Sequence, residues 1–242
     1  MTSLWFVTPA WQRFDLTAVC LEQRRRVIET LSESGIEAHC VVIADDANVD
    51  TARALGFDVL ERDNAALGRR FNDGMEYAGR NGAEWIVPIG SDSWIDPGYF
   101  LGLHASFVRT SRRYCAVTAD RLAELVVQDG KGAGPYVFSR GVLEPSGFRP
   151  ADDRRPRHID SSTVRGIQRT IGGPVPWTRS FEMHPYQYVG FRGSPTITPY
   201  ERLVAAWGVG EREDPWSILA RYYPVDLVER ARAALSGQVV AA

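Results

Sequence analysis

The feature that most limits how this chain can fold is the alternation of apolar runs with amphipathic segments over its first 90 residues. The apolar runs predict buried strands over residues 3–8, 38–44, 57–61 and 85–89. The segments between them predict helices over residues 16–34, 49–55 and 65–80. Strict alternation of this kind favours right-handed crossovers, and hence an α/β, Rossmann-type fold with a mostly parallel sheet flanked by helices.

The boundaries of the first helix carry recognisable signals. Asp15 precedes its first apolar residue and is expected to cap it, and Gly35 is expected to end it.

The second half of the chain is less regular. It predicts a helix over residues 98–109 and short strands over residues 114–118, 122–127 and 136–139. Residues 145–163 are rich in proline, glycine and charge, which indicates an ordered loop or a mobile lid. Helical patches follow at residues 200–207, 215–222 and 225–236. We therefore expect a catalytic-type domain over residues 1–199, with a helical C-terminal extension over residues 200–242 packed on it.

Composition narrows the class of protein. The 242 residues are 44% hydrophobic and 24% charged, and the net charge of -2 gives no global field that would demand a nucleic acid. The odd cysteine count, in apolar contexts, predicts buried thiols in a reducing compartment, here the cytoplasm. We expect neither a signal peptide nor a membrane anchor. All basic residues except Lys131 are arginines, which reflects either codon usage or binding of phosphate.

Polar clusters follow three of the predicted strands, at residues 8–13, 45–46 and 90–93. In parallel sheets ligands bind beyond the carboxyl ends of the strands, so these clusters are expected to share one edge. Asp92 lies at such an end, in a Gly/Ser loop, where a carboxylate can hold a hard divalent cation. The alternative is an ordinary turn aspartate, since glycine, serine and aspartate all favour turns.

Six stretches in order resemble GT-A glycosyltransferases, which have the nucleotide-diphospho-sugar transferase fold. They are SLWFVTPAWQR, VVIADD, DNAALGRRFNDGMEYA, EWIVPIGSDSWIDPGYF, YVFSRGVLEPSGFRP and RHIDSSTVRGI. The fourth is similar to the family's central strand and its Asp-x-Asp loop. Here Gly90 and Ser93 stand where the family carries acids, so only Asp92 remains. The resemblance covers about residues 3–170.

The resemblance implies roles for individual residues. Asp160 would be the general base, its alternative being a helix N-cap. Asp92 would hold Mn²⁺ or Mg²⁺, with His184 as a second ligand. The donor would be bound by residues of the three strand ends and the helix after the third strand: Thr8, Pro9, Trp11, Arg13, Asp45, Asn64, Arg69, Asn72 and Ser91.

These roles predict a hexosyltransferase of bacterial or bacteriophage type. It would move a sugar from a nucleotide-diphospho-sugar, most simply a UDP-sugar, to a hydroxyl acceptor on a protein, a glycan or a modified base in DNA. The DNA alternative rests on a run of arginines beside Asp160: Arg149, Arg154, Arg155, Arg157, Arg165 and Arg169. Two further alternatives are a nucleotidyltransferase, although residues 7–15 lack a Gly-rich loop and a lysine, and a domain that binds nucleotide or sugar without turnover. The oligomeric state is left open.

Overall fold

The protein is an α/β structure with two sheets flanked by helices. The computed structural model describes residues 2–64, 66–100, 103, 108–111, 113–126, 133–155, 159–175, 177–179, 184–193 and 198–239. The side chains of residues 108–109, 111, 133–134, 159–161, 177–179 and 238–239 lie outside this description.

The first sheet has seven strands. Four of them run parallel as predicted: β1 (Thr2–Pro9), β2 (Ile36–Ala44), β3 (Asp58–Glu61) and β4 (Trp85–Pro88). Antiparallel β9 (Ala133–Ser139) joins them to β6 (Val108–Ser111) and β10 (Trp177–Arg179). The resulting order is β10-β6-β9-β4-β1-β2-β3, which places β1 between β4 and β2.

Helices cover both faces of this sheet. The connections between the parallel strands are α1 (Phe14–Glu33), α2 (Asn48–Ala54) and α3 (Leu67–Arg80). The middle of β1, residues 4–7, is continuously apolar because alternate residues face opposite cores: Leu4 and Phe6 pack in the core that includes α1, and Trp5 and Val7 in the core that includes α3. A Cβ on Gly74 would lie 2.4 Å from Val7, so glycine there lets α3 approach the sheet closely.

The second sheet was not expected from the sequence. Its order is β12 (Gly208–Glu213), β8 (Arg121–Val126), β7 (Arg113–Val117), β11 (Tyr188–Phe191) and β5 (Ser93–Ile95). β5 directly follows the loop of residues 90–92 and pairs antiparallel with β11. The loop is thus held between the two sheets, with β4 on one side and β5 on the other.

The predicted helix over residues 98–109 is wrong where the structure describes it. Pro97–Phe100 forms a short 3₁₀ turn and Val108–Ser111 is the strand β6, while residues 101–102 and 104–107 lie outside the described part. Tyr99 and Phe100 are buried in the core beside Phe6, so packing against the sheet sets the local conformation. The predicted strands around residues 114–118, 122–127 and 136–139 are β7, β8 and β9.

The remaining helices are α4 (Arg140–Leu143), α5 (Ile159–Ile171), α6 (Tyr200–Trp207), α7 (Pro215–Leu219) and α8 (Val225–Val239). The C-terminal helices do not form a separate layer. Leu227 and Val228 of α8 are fully buried with Leu16 and Val19 of α1. None of the helices in the described residues is both long and apolar enough to cross a membrane.

Candidate functional site

The turn after β1 has an unusual backbone. Gln12 and Arg13 have φ angles of 53° and 48°, in the left-handed region that glycine normally occupies. The Gln12 N–H donates to the Asp46 carboxylate at 2.9 Å, and the Arg13 carbonyl accepts from Thr17 N–H at 2.8 Å. Such residues cost on the order of 1–3 kcal/mol each and are enriched at functional sites. Here they bring the Arg13 side chain to the sheet edge and begin α1, so Arg13 precedes this helix rather than Asp15.

The two acids after β2 have different surroundings. Both oxygens of Asp46 accept hydrogen bonds, one from Gln12 N–H and the other from the backbone and side chain of Asn48 at 3.0 and 2.7 Å. Asp46 therefore builds the turn and the start of α2. Asp45, the predicted nucleotide contact, is exposed beside it.

Asp92 lies where the predicted metal loop meets the turn after β1. Its Oδ2 accepts hydrogen bonds from Arg13 Nη1 at 3.0 Å and from Arg192 Nη1 at 3.4 Å, and its Oδ1 accepts one from Ser93 Oγ at 3.2 Å. About one sixth of each of the three charged side chains is exposed. Burial opposes ionisation, but the two guanidinium groups outweigh it and hold the pKa of Asp92 below its ordinary value. Asp92 is thus an anion that is already paired.

Arg192 is a site residue that the sequence did not reveal. It follows β11, and its guanidinium folds back over Gly190, where an added Cβ would lie 2.7 Å from Nη2. Its Nη1 also donates to the Phe191 carbonyl at 3.2 Å. The only sequence signal is the glycine two residues before the arginine in YVGFRG, and nothing local places that stretch beside Asp92.

A third arginine lies behind the loop. Arg24 of α1 is 1% exposed, donates to the Ser93 carbonyl at 3.2 Å and lies 4.8 Å from the Phe6 ring centroid. Its Nε and Nη1 have no hydrogen-bond partner among the described residues. Burial lowers its pKa from the usual arginine value. Gln23 beside it donates to the Ile95 carbonyl at 2.7 Å, so α1 fixes both β5 and the loop.

The other residues predicted to bind the donor at the ends of β1 and β4 differ in solvent exposure. Thr8 and Pro9 are buried at the end of β1, and Ser91 is only 4% exposed. Trp11 is 42% exposed, which leaves its ring available to a ligand. Phe14, three residues later at the start of α1, is 47% exposed and was not predicted.

The residues of α3 and its preceding loop that were predicted to bind the nucleotide-sugar donor also differ in solvent exposure. Arg69 is exposed. Its neighbour Arg70 is buried, donates to the carbonyls of Ala10 and Ile43, and reaches Asn64 Oδ1 at 3.2 Å. Arg70 thereby fastens the ends of β1 and β2 together, and burial lowers its pKa.

The side chain of Asn72 forms hydrogen bonds with the proline- and glycine-rich segment that follows α4. It donates to the Ala151 carbonyl and to Asp153, and it accepts from Ala151 N–H, at 2.7–3.0 Å. The backbone of Gly68 also approaches this segment closely, because a Cβ on Gly68 would lie 2.0 Å from the Asp152 carbonyl oxygen. The described residues of this segment, up to residue 155, are therefore fixed against α3.

His184 lies at Asp96 rather than at Asp92. Its Nε2 is 3.5 Å from Asp96 Oδ2, and its ring stacks on Tyr222 with centroids 4.4 Å apart. Asp92 immediately precedes β5 and Asp96 immediately follows it, so the two acids lie at opposite ends of this strand. The structure therefore does not bring the two predicted metal ligands together.

Asp160 is the second residue of α5, so it lies inside the first turn of the helix. Its side chain is outside the described part of the structure. Beside this helix a cleft of about 650 Å³ is lined by Arg155, Arg165 and Arg169, with Asp152 as an acidic neighbour.

The described residues do not fit a divalent cation. At phosphate-binding sites Mg²⁺ takes one or two carboxylates, with phosphate and water oxygens as its other ligands, so each protein carboxylate must be open to the ion. Asp92 is the one acid of its loop and is occupied by two arginines, and no group of three acids, histidines or cysteines lies together in the described part of the chain. A Cβ at Gly90 would lie 2.6 Å from Asp92 Oδ1, so any side chain at that position would require the Asp92 carboxylate to shift.

Comparison with known proteins defines the fold. No family model and no curated protein matches the sequence. TarS from S. aureus, solved with UDP, has a TM-score of 0.53 at 14% identity, covering 80% of this chain and 61% of that chain. A mutant of Drosophila β-1,4-galactosyltransferase 7, solved with manganese, UDP-Gal and xylobiose, has a TM-score of 0.52 at 11% identity, covering 77% of this chain and 68% of that one. This chain thus spans about three fifths of the TarS chain. At these identities the likeness concerns architecture, and it confirms that the chain has the GT-A fold of nucleotide-diphospho-sugar transferases.

Proposed function

We propose that this protein is a glycosyltransferase that moves a sugar from a nucleotide-diphospho-sugar, most simply a UDP-sugar, to a hydroxyl acceptor. The observation that carries the proposal is the charged site of Arg13, Asp92 and Arg192 at the carboxyl edge of the parallel strands. That edge is where α/β sheets bind nucleotides. Two proteins with the same fold were solved with UDP or UDP-Gal, which supports a nucleotide-sugar donor here.

The exposed groups around this edge suit the parts of such a donor. Trp11 and Phe14 offer aromatic faces for a base or a sugar ring. Asp45 is an exposed carboxylate that can accept hydrogen bonds from the base or the ribose. Arg13, Arg192 and the exposed Arg69 are candidates for the diphosphate, because a guanidinium binds phosphate oxygens through paired N–H donors.

The proposed reaction is an inverting transfer. The acceptor oxygen attacks the anomeric carbon and forms the new C–O bond, while the bond from that carbon to the diphosphate oxygen breaks. The acceptor proton passes to a carboxylate, and the nucleoside diphosphate leaves with the electron pair of the broken bond. We assign the proton acceptor to Asp160 from its place in the first turn of α5 and from the sequence resemblance.

The Mn²⁺ or Mg²⁺ implied by the resemblance has no step in this proposal. A metal at Asp92 would lie against the guanidinium groups of Arg13 and Arg192, which repel a cation, and His184 pairs with Asp96 instead. The described residues of the 145–163 segment are packed on α3, so closure over the donor is not invoked either.

The first test is a thermal-shift titration with UDP, GDP, CDP, ADP and dTDP. A ligand that binds only the folded state at 100 times its Kd adds about 2.7 kcal/mol of stability, so one of the five should raise the melting temperature. No shift with any of them would contradict a nucleotide-dependent activity.

A second test separates an enzyme from a binding domain. Donor hydrolysis or transfer should fall by about 10²–10⁴ in Asp160→Asn, while nucleotide binding stays the same. Nucleotide binding without any donor turnover in the wild type would favour the non-catalytic alternative.

One observation favours an acceptor that carries phosphate, modified DNA included. The cleft beside α5 presents three arginines against one aspartate, a charge balance that suits a polyanion. A short DNA duplex should then bind with an affinity that falls steeply between 50 and 200 mM salt, and Arg169→Ala should weaken it. Equal binding by wild type and Arg169→Ala would favour an uncharged glycan or protein acceptor.

A further inference from the structure

The charge arrangement at Asp92 is the reverse of that in a metal site. A metal-binding carboxylate must offer free oxygen lone pairs to the cation. Three of the about four lone-pair sites of Asp92 already accept hydrogen bonds, from Arg13 and Arg192 on Oδ2 and from Ser93 on Oδ1. The carboxylate is thus used to orient two cationic side chains.

Two glycines make room for this arrangement. The space that a Cβ of Gly90 would fill is occupied by the Asp92 carboxylate, at 2.6 Å. The space that a Cβ of Gly190 would fill is occupied by the Arg192 guanidinium, at 2.7–3.2 Å. The two glycines therefore leave room for the Asp92 carboxylate and the Arg192 guanidinium to lie against the backbone.

The balance of charge leaves this site cationic. Three guanidinium groups, those of Arg13, Arg24 and Arg192, surround the loop that contains the carboxylate of Asp92. Arg24 contributes its field from within the core, where low polarity reduces screening. Arg13 and Arg192 keep N–H donors beyond the one that each directs at Asp92, and each has about one sixth of its side chain exposed.

We propose that Arg13 and Arg192, oriented by Asp92, bind the donor diphosphate in place of a divalent cation, so that nucleotide binding and turnover do not depend on metal. This rests on the proposed function. When the bond between the anomeric carbon and the diphosphate oxygen breaks, the electron pair stays on that oxygen, and the two guanidinium groups offset the negative charge. Asp92 is then a positioning residue rather than a ligand.

The first measurement is calorimetric binding of each of the five nucleoside diphosphates to the intact chain, in EDTA and in Mn²⁺. The nucleotide that binds should have Kd values that agree within about twofold in the two buffers. A Kd at least about tenfold weaker in EDTA would overturn the metal-free site and leave the glycosyltransferase proposal standing. Absence of binding by all five in both buffers would overturn both proposals.

The second measurement assigns the phosphate contact to Arg192. Arg192→Ala should weaken binding of the diphosphate about ten- to a hundredfold, as expected for losing a charge-assisted hydrogen bond. The corresponding monophosphate should lose much less, so the ratio of the two affinities should fall. A role confined to folding would weaken both nucleotides equally and would contradict the assignment.

Two further variants serve as controls for the comparison of diphosphate and monophosphate binding. Arg192→Lys keeps the charge and should retain part of the preference for the diphosphate. It replaces Arg192→Ala in this comparison if the alanine variant does not fold. Arg202→Ala removes an exposed arginine of α6 with the same change in net charge, and it should leave both affinities unchanged. An equal loss in Arg202→Ala would mean that net charge, and not the contact, governs binding.

Discussion

The carboxylate of Asp92 makes the site sensitive to acid. Arg13 and Arg192 hold its pKa below the ordinary 3.8 despite burial, which opposes ionisation. Because the folded pKa is lower than the unfolded one, the ion pairs stabilise the fold fully above about pH 4, and this contribution is lost as pH falls through the folded pKa. We expect Asp92→Asn to lower the free energy of unfolding by about 3 kcal/mol at pH 7, and by progressively less as pH falls below 4, as measured by chemical denaturation.

A matched control for this prediction is Asp45→Asn, which changes an exposed acid at the neighbouring strand end. It should leave the free energy of unfolding nearly unchanged at pH 7 and at pH 3. If Asp92→Asn lost the same stability at pH 3 as at pH 7, the loss would come from altered packing and not from the ion pairs.

How far single residues could be predicted depends on the range of the interaction that places them. Arg13 and Asp92 follow strands that the alternating pattern identifies, and the rule that parallel strands share a carboxyl edge brings them together correctly. Arg192 is 100 residues from Asp92 in sequence and reaches it only because β11 pairs with β5. The same pairing brings His184 to Asp96. It could not be predicted because β5 has only three residues, too few to show a strand pattern.

At the scale of elements, the parallel strands were predictable because each is a short apolar run between polar turns. The second sheet was not, since β12 is a polar and largely exposed strand whose pattern gives no sign of pairing with β8. The prediction of a helix over residues 98–109 was wrong because tertiary packing overrode the local pattern. The apolar spacing there suits a helix, but Phe100 is fully buried and ends the short 3₁₀ turn Pro97–Phe100.

The segment between α4 and α5 gives an element-scale prediction, because it packs against glycines. A Cβ on Gly68 of α3 would lie 2.0 Å from the Asp152 carbonyl, and one on Gly166 of α5 would lie 1.7 Å from the Pro150 carbonyl. Backbone atoms cannot move aside as a side-chain end can. We expect Gly68→Ala to lower the free energy of unfolding by about 2 kcal/mol or more, as measured in urea.

The control for Gly68→Ala is Gly141→Ala in α4, where nothing lies within 4 Å of the new Cβ. Alanine favours helix over glycine by up to about 1 kcal/mol, so this variant should be neutral or slightly stabilising. A neutral Gly68→Ala would show that the segment is free to lift from α3, as a lid would be.

At the scale of the whole molecule, the C-terminal helices and the candidate site share one core. Trp94, two residues after Asp92, is fully buried and packs on Phe191 and Tyr223, with ring centroids 4.9 and 5.0 Å away. Tyr223 precedes α8, and Leu227 of α8 lies in the same cluster. The loop that holds Asp92 is therefore supported from behind by residues near the end of the chain.

This shared core predicts that the C-terminal helices and the nucleotide site unfold together. Leu227→Ala removes a fully buried side chain and should lower the free energy of unfolding by about 2–5 kcal/mol. Val225→Ala, at a position that is 60% exposed on the same helix, should change it little. In Leu227→Ala, the denaturation curves followed by circular dichroism and by loss of nucleotide binding should coincide at their new midpoint, because one cooperative unit gives one transition. Nucleotide binding that survived a separate, earlier transition would instead identify the C-terminal helices as an independent unit, docked on a site that is stable without them.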